Sequence, residues 1–315
     1  MPLLEVNSLQ VSFRGDHGFL PVVRGVDLTL EEGETLAIVG ESGSGKSVTS
    51  LALMGLLDAK AKVEGTFRYD GKEFRPQSGS LRGHGLSMIF QNPMSSLNPV
   101  MKVGKQVAEP LLLGGGKNAW VREQVSALFG EVGLPTEDRF YHHYPHQLSG
   151  GMRQRVMIAI ALACRPRILL ADEPTTALDV TIQAQILTLL KSIQQQRKMG
   201  LVMVTHDMSV VESVADRVAV MYAGQFVEVG ERRQVLDSPK HPYTEALLSS
   251  IPRLTREKPE KLETIPGRPP APGELKEGCP FAPRCAKVME ACHTTAPEPR
   301  GADHRARCLL VEETA

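Results

Sequence analysis

Eight consecutive residues, Gly40-Glu41-Ser42-Gly43-Ser44-Gly45-Lys46-Ser47, satisfy the pattern G-x-x-x-x-G-K-[ST] in full. Glycines at these places let the backbone curl around an anion and aim N–H groups and a helix N-terminus at it. Lys46 is spaced to reach the β- and γ-phosphates of a nucleotide, and the Ser47 hydroxyl to reach Mg²⁺. A second cluster, Ile168-Leu169-Leu170-Ala171-Asp172-Glu173, is an apolar run ending in two acids. Asp172, at the strand end, would hold Mg²⁺ directly or indirectly, and Glu173 would polarise the attacking water as general base. A third, Leu148-Ser149-Gly150-Gly151, opens an apolar helix over residues 152–164. Ser149 is a good N-cap there, and Gly150 and Gly151 let the backbone approach an anion. Alone, each has a plain reading as a glycine-rich turn, an acidic loop or a capped helix; together they describe phosphoryl chemistry.

The elements needed to position these residues are legible in the periodicity. Residues 3–13 and 22–30 alternate as strands do, and residues 35–39 form the short apolar run expected of a buried strand leading into the glycine-rich loop. Residues 48–57 have helical spacing, and 62–69 and 86–90 read as strands. Residues 103–133 are helical around Gly114-Gly115-Gly116, with Trp120, Val121, Val125, Leu128 and Phe129 assigned to one face. This stretch reads as a helical subdomain, at about residues 92–160, inserted between strands. Residues 168–171 and 201–204 fit buried parallel strands joined by a crossover helix over 181–195. The alternation indicates an α/β fold. Residues 217–222 and 225–229 read as a hairpin about Ala223-Gly224.

Composition narrows the class. The 315 residues carry 36 Lys+Arg against 36 Asp+Glu, a zero formal charge that argues against a nucleic-acid-coating protein. At 42% hydrophobic and 23% charged the chain is ordinary for a globular protein. No apolar run approaches the ~18 residues of a membrane span, and the first residues lack a secretory signal. A cytosolic protein is expected, with its five cysteines not in disulfides. Ten of the 22 prolines lie between Pro252 and Pro299, so this region is expected as an extended appendage needing some device to hold it in place.

In combination the three motifs resemble the ABC ATPase family, whose signature is a Leu-Ser-Gly-Gly stretch just before the acidic strand. The resemblance covers roughly residues 3–250 and implies a P-loop ABC ATPase core that hydrolyses ATP with Mg²⁺. It also implies roles in order along the chain. Gln91 resembles the loop glutamine that senses Mg²⁺ and water and touches a membrane subunit. Ala177-Leu178-Asp179 resembles the loop crossing a dimer interface, and His206 the switch histidine that contacts the γ-phosphate. Phe13 resembles the aromatic that stacks on adenine, with Phe19 as a rival. Met152 departs from the family pattern, which often has Gln there, but Ser149, Gly150 and Gly151 are kept. The family pattern implies a head-to-tail dimer with two ATPs at its interface.

Three further stretches are similar to the dipeptide/oligopeptide (and nickel) importer ATPases: residues 91–99, His241-Pro242-Tyr243-Thr244-Glu245-Ala246-Leu247, and Ile265-Pro266-Gly267-Arg268-Pro269-Pro270. The best match is the D-type subunit, which carries a Pro-rich, Cys-containing extension, here residues 251–315 beyond an ATPase domain of residues 1–250. The resemblance implies uptake of di- or oligopeptides, with nickel or another solute as the alternative. It implies two transmembrane permease subunits, a second ATPase that is a paralogue, and indirect work with an extracytoplasmic solute-binding protein. The protein would then sit peripherally on the cytoplasmic face of the membrane. A soluble ABC ATPase of DNA repair or translation is the rival class; one ATPase domain, no long heptad stretch and no basic patch count against it. A P-loop module without turnover is countered by the presence of Glu173 and His206.

Cys279, Cys285, Cys292 and Cys308 are spaced Cys-x5-Cys-x6-Cys-x15-Cys. Four thiolates suit tetrahedral Zn²⁺ or an iron–sulfur cluster, and a Pro-rich tail with little apolar content would gain stability from either. Structural zinc commonly uses tight Cys pairs, which are missing here, and the wider gaps suit a cube. The likeness to D-type subunits implies a [4Fe-4S] cluster. His293 is a weaker ligand candidate, and Cys164 is expected as a small buried hydrophobe.

Overall fold

Short apolar runs and alternating segments fold as strands, and the stripes between them as helices. The computed structural model describes residues 1–16, 18–176, 178–250, 264–275 and 277–312. In chain order the elements begin with β1 (Leu4–Gly15), β2 (Gly18–Leu30), β3 (Thr35–Val39), α1 (Lys46–Met54), β4 (Lys62–Tyr69), β5 (Lys72–Glu73) and β6 (Leu86–Ile89). The helices α2 (Pro93–Ser96), α3 (Val103–Leu113), α4 (Asn118–Glu131), α5 (Asp138–Tyr141) and α6 (Gly150–Leu162) follow. Then come β7 (Ile168–Asp172), α7 (Val180–Arg197), β8 (Gly200–Thr205), α8 (Met208–Val214), β9 (Arg217–Tyr222), β10 (Gln225–Glu231), α9 (Arg232–Asp237), α10 (Pro242–Ser249) and β11 (Arg305–Ala306). The chain divides into two compact units: Met1–Glu31, Thr35–Arg75 and Val204–Ala315 form the first, and Glu32–Glu34 with Pro76–Met203 the second.

In the first unit, β2-β1-β4-β5 form an antiparallel sheet. The alternation along β1 is not continuous. Leu4 and Val6 are buried, then Leu9 and Val11, because the register shifts between Val6 and Leu9, where Ser8 adopts φ 53°. One irregular residue thus moves the apolar set from even to odd positions while keeping it on one face. Strand β3, buried at every residue, pairs parallel with β9. Strands β9 and β10 close a hairpin in which Ala223 and Gly224 both have positive φ, at 46° and 82°, the requirement of a tight I′-type turn. Strand β11, from the C-terminal segment, adds to β10 through Glu228↔Ala306 and Val229↔Arg305. The core here joins Val39, Val211, Val220, Tyr222 and Tyr243 to Phe281, with Ile265, Cys279 and Cys285 packed against it.

In the second unit, β6 and β7 are parallel, with Leu86 opposite Ile168 and Ile89 opposite Ala171. Helices α2–α6 lie between these strands in sequence, and α7 connects β7 to β8. Along α4, Val121, Val125, Leu128 and Phe129 are buried, whereas Trp120 is 47% exposed. The sequence reading that put Trp120 on this face is corrected by the helix angle: one residue from Val121 is a rotation of about 100°, off the edge of the stripe. Cys164 is only partly buried, its Sγ 3.6 Å from the Pro110 carbonyl oxygen. Among the described residues no helix is long and apolar enough to cross a membrane.

Candidate active site

The glycine-rich loop of the first unit runs from the end of β3 into α1. Gly40 has φ +153°, and a Cβ there would lie 2.1 Å from the Met221 carbonyl oxygen, so no side chain fits. Gly45 caps α1 in a left-handed conformation. Lys46 is 5% exposed and donates to the carbonyls of Gly40 (2.7 Å) and Glu41 (2.9 Å). Among the described residues the buried Ser44 hydroxyl has no hydrogen-bond partner, a costly state for a polar group. Ser47 is the second residue of α1, after Lys46. A curled backbone that excludes side chains, an unsatisfied hydroxyl and a buried ammonium fit a phosphate group well.

Glu41 is held at all three of its polar groups. Its N–H donates to the Tyr243 hydroxyl (2.9 Å), its carbonyl accepts from Lys46, and its carboxylate accepts two bonds from Arg284, at 2.6 and 2.9 Å. Arg284 lies 243 positions away in sequence. Periodicity and motif reading carried no signal for it. Its neighbour Glu41 holds the guanidinium more firmly charged than usual. Burial pushes the Tyr243 hydroxyl up, so it stays protonated, and pushes His241 down to about 4. The neutral His241 ring then accepts the Tyr243 N–H at Nδ1 (3.0 Å) and caps α10.

His206 follows β8 and is exposed. Phe13 sits on β1 opposite Leu20, half-buried, while Phe19 is 54% exposed.

In the second unit Asp172 ends β7 and is 5% exposed. Glu173 follows at φ 45°, a left-handed conformation that costs a non-glycine residue energy and that clusters at functional sites. Its Oε2 accepts from Gln91 Nε2 and from Thr176 Oγ1, both at 2.9 Å. The structure thus brings Gln91 and Glu173 together. Thr176 was missed in the sequence, although its place three residues on, in the same turn, is a local signal.

Ser149 caps α6, its Oγ accepting from the Met152 N–H at 3.4 Å. Ser149 and Gly150 are exposed and Gly151 half-buried. A Cβ on Gly151 would lie 2.8 Å from Ile182 Cγ2, so glycine lets α6 and α7 start close together. Asp179 caps α7 by accepting from Ile182 N–H at 2.9 Å. Ala177 of that loop lies outside the described residues, as do residues 251–263 of the C-terminal stretch.

Cys279, Cys285, Cys292 and Cys308 line one small cavity together with His241, Phe281 and Lys287. Donor type and gathering fit a thiolate-held group, but spacing does not. Among the described residues no three His, Cys, Asp or Glu side chains stand close enough to hold a metal ion. The arrangement of the described side chains does not support the expected iron–sulfur or zinc centre. Burial, reinforced by the neighbouring cysteines, pushes the thiols of Cys279, Cys285 and Cys308 up. The Lys287 N–H donates to Cys285 Sγ at 3.3 Å. His293 is exposed and does not line the cavity.

Comparison with known proteins agrees along the chain. The ABC transporter family profile matches residues 23–176, and the profile of the oligopeptide/dipeptide transporter C-terminal region matches residues 227–292. The oligopeptide transport ATP-binding protein OppD of Salmonella typhimurium is 49% identical, covering 94% of this chain and 89% of its own. AppD of Bacillus subtilis, also an oligopeptide transport ATP-binding protein, is 46% identical over 99% and 97%. The ATP-binding cassette MJ0796, solved as a dimer in a post-hydrolysis state with ADP and Pi, superposes with a TM-score of 0.63 at 31% identity, covering 73% of this chain and 99% of its own. With close to half of all residues shared over nearly the full length of both chains, this protein belongs to the oligopeptide transport ATP-binding family of the ABC ATPases.

Proposed function

We propose that this chain hydrolyses ATP to drive uptake of di- or oligopeptides across the cytoplasmic membrane. It would act from the cytoplasmic face, peripherally, with two transmembrane permeases, a paralogous ATPase subunit and an extracytoplasmic solute-binding protein. The observation that carries this reading is the near-full-length likeness to oligopeptide transport ATP-binding proteins. The match of residues 227–292 to the oligopeptide/dipeptide C-terminal region favours peptides over nickel.

In this reading the ATPase domain spans residues 1–250, with its helical subdomain at about 92–160 and the extension at 251–315. Gly40, Glu41, Ser42, Gly43, Ser44, Gly45 and Lys46 cradle the phosphates, with Phe13 against the base. Ser47, Gln91 and Asp172 would hold Mg²⁺, which supplies charge neutralisation at the phosphates. Glu173 takes a proton from the attacking water, its carboxylate oriented by Gln91 and Thr176. His206 contacts the γ-phosphate. The exposed Ser149, Gly150 and Gly151 complete the ATP site of the partner ATPase.

The segment from Gln91 to Asn98 is proposed to dock a permease. It begins at the glutamine bonded to Glu173 and leads into α3, so a change at the carboxylate can move it as a rigid element. Cysteines placed at Ser95 and in the cytoplasmic loops of co-purified permeases are expected to cross-link in the assembled transporter. Failure of this segment to cross-link to either permease would count against the docking.

The four-cysteine tail is proposed to hold a [4Fe-4S] cluster through Cys279, Cys285, Cys292 and Cys308, with Zn²⁺ as the alternative. Cysteine ligands would bind such a group as thiolates, with release of their protons. Protein purified without oxygen is expected to be brown, absorb near ~400 nm and hold about four irons per chain. Colourless protein with one zinc would replace the cluster by a structural zinc.

A further inference from the structure

We infer that Arg284 is a positioning residue for ATP: the C-terminal tail sets the geometry of the phosphate loop by clamping Glu41. This rests on the reading of residues 40–47 as the phosphate site. Glu41 directly follows Gly40 in the loop, and among the described residues the side chains of Tyr243 and Arg284, from the last third of the chain, reach it from outside the loop. The guanidinium is buried, with its side chain 5% exposed against 26% for Glu41. Beyond its two bonds to the carboxylate, its Nε donates to the Pro266 carbonyl at 2.8 Å and its Nη1 lies 3.4 Å from the Tyr222 hydroxyl. Every bond fixes the plane of the fork, and a bidentate Arg–carboxylate pair restrains orientation as well as distance.

The consequence runs through one peptide. Lys46 Nζ donates to the Gly40 and Glu41 carbonyls. The Glu41 carbonyl also accepts from the Ser44 N–H at 3.2 Å. Tilting residue 41 therefore moves both the ammonium and the turn that carries the phosphate-facing N–H groups. Arg284 needs no contact with nucleotide to act this way. It stands beside Cys285, which lines the cysteine cavity, so the state of that cavity and the state of the phosphate loop share one backbone segment.

The test is equilibrium binding of ATP and of AMP to the full-length protein, with melting measured in parallel. Arg284→Gln is expected to weaken ATP about tenfold, the scale of a lost charge-assisted pair. AMP, which lacks β- and γ-phosphates, is expected to bind as before. Arg284→Lys should recover part of the loss, since one point charge replaces the fork. Glu41→Gln should match Arg284→Gln, and the double variant should be no worse than either single one. If Arg284→Gln does not fold, Glu41→Gln reports on the same pair from the loop side. Lys46→Ala is the control. If it keeps normal ATP affinity, the phosphate-site reading fails and takes this inference with it. If it loses ATP while Arg284→Gln or Glu41→Gln binds ATP normally, or weakens AMP equally, the inference alone is overturned.

Discussion

Replacing Glu173 by Gln is expected to lower ATP turnover by about 10²–10⁴-fold, the usual loss for a general base, while leaving ATP affinity unchanged. The Glu173 Oε2 accepts from Gln91 and Thr176, each at 2.9 Å. A glutamine carbonyl oxygen can accept the same two bonds, so the variant keeps the orientation of the side chain and loses only its capacity to take a proton. The backbone at φ 45° is no worse for Gln than for Glu. Nucleotide binding, assigned to residues 40–47, has no reason to change. ATP-bound dimers should accumulate because closure is no longer relieved by hydrolysis. Single-turnover measurements of phosphate release, with a parallel binding titration, check both halves. Turnover at the parent rate would remove Glu173 from the role of base.

Phe281→Ala is expected to destabilise the protein by about 3–5 kcal/mol, the range for emptying a fully buried aromatic site. Phe281 is 2% exposed. Its ring meets Tyr222 edge-on at 5.3 Å between centroids, Tyr243 at 5.3 Å and His241 at 5.9 Å. These neighbours lie on β9, on α10 and at its N-cap, so the aromatic cluster packs the Pro-rich tail onto the rest of the first unit, beside the β10–β11 pairing and the Arg284–Glu41 pair. The loss should appear as a lower denaturant midpoint at unchanged slope. A change below about 1 kcal/mol would mean that the tail adds little to the core.

The sequence carried the site in parts of unequal clarity. The glycine-rich loop and the strand before it were plain, because a phosphate-binding backbone demands glycine at fixed places and a buried strand demands an unbroken apolar run. Asp172 and Glu173 were plain for the same reason, sitting where such a run ends. Phase errors were not visible: Ser8 shifts the register of β1 without changing residue composition, and Trp120 is one residue too early on its helix to be buried. Pairings across long sequence separations were invisible altogether. Nothing near Arg284 marks it as the partner of Glu41, since an exposed arginine in a Pro-rich tail and a buried one read alike until the chain is folded. The cysteines were legible as a set. That all four line one cavity depends on how the tail folds, which spacing along the chain does not encode.

The most direct test of the central claim is peptide uptake by proteoliposomes. These would contain this chain, the second ATPase subunit proposed above and two permeases, with a solute-binding protein supplied outside and a radiolabelled tripeptide as substrate. With ATP enclosed, the wild-type assembly is expected to accumulate the peptide, and the assembly carrying Lys46→Ala is expected to accumulate none above the level without ATP. Uptake that is equal with and without ATP, or that survives Lys46→Ala undiminished, would contradict the account.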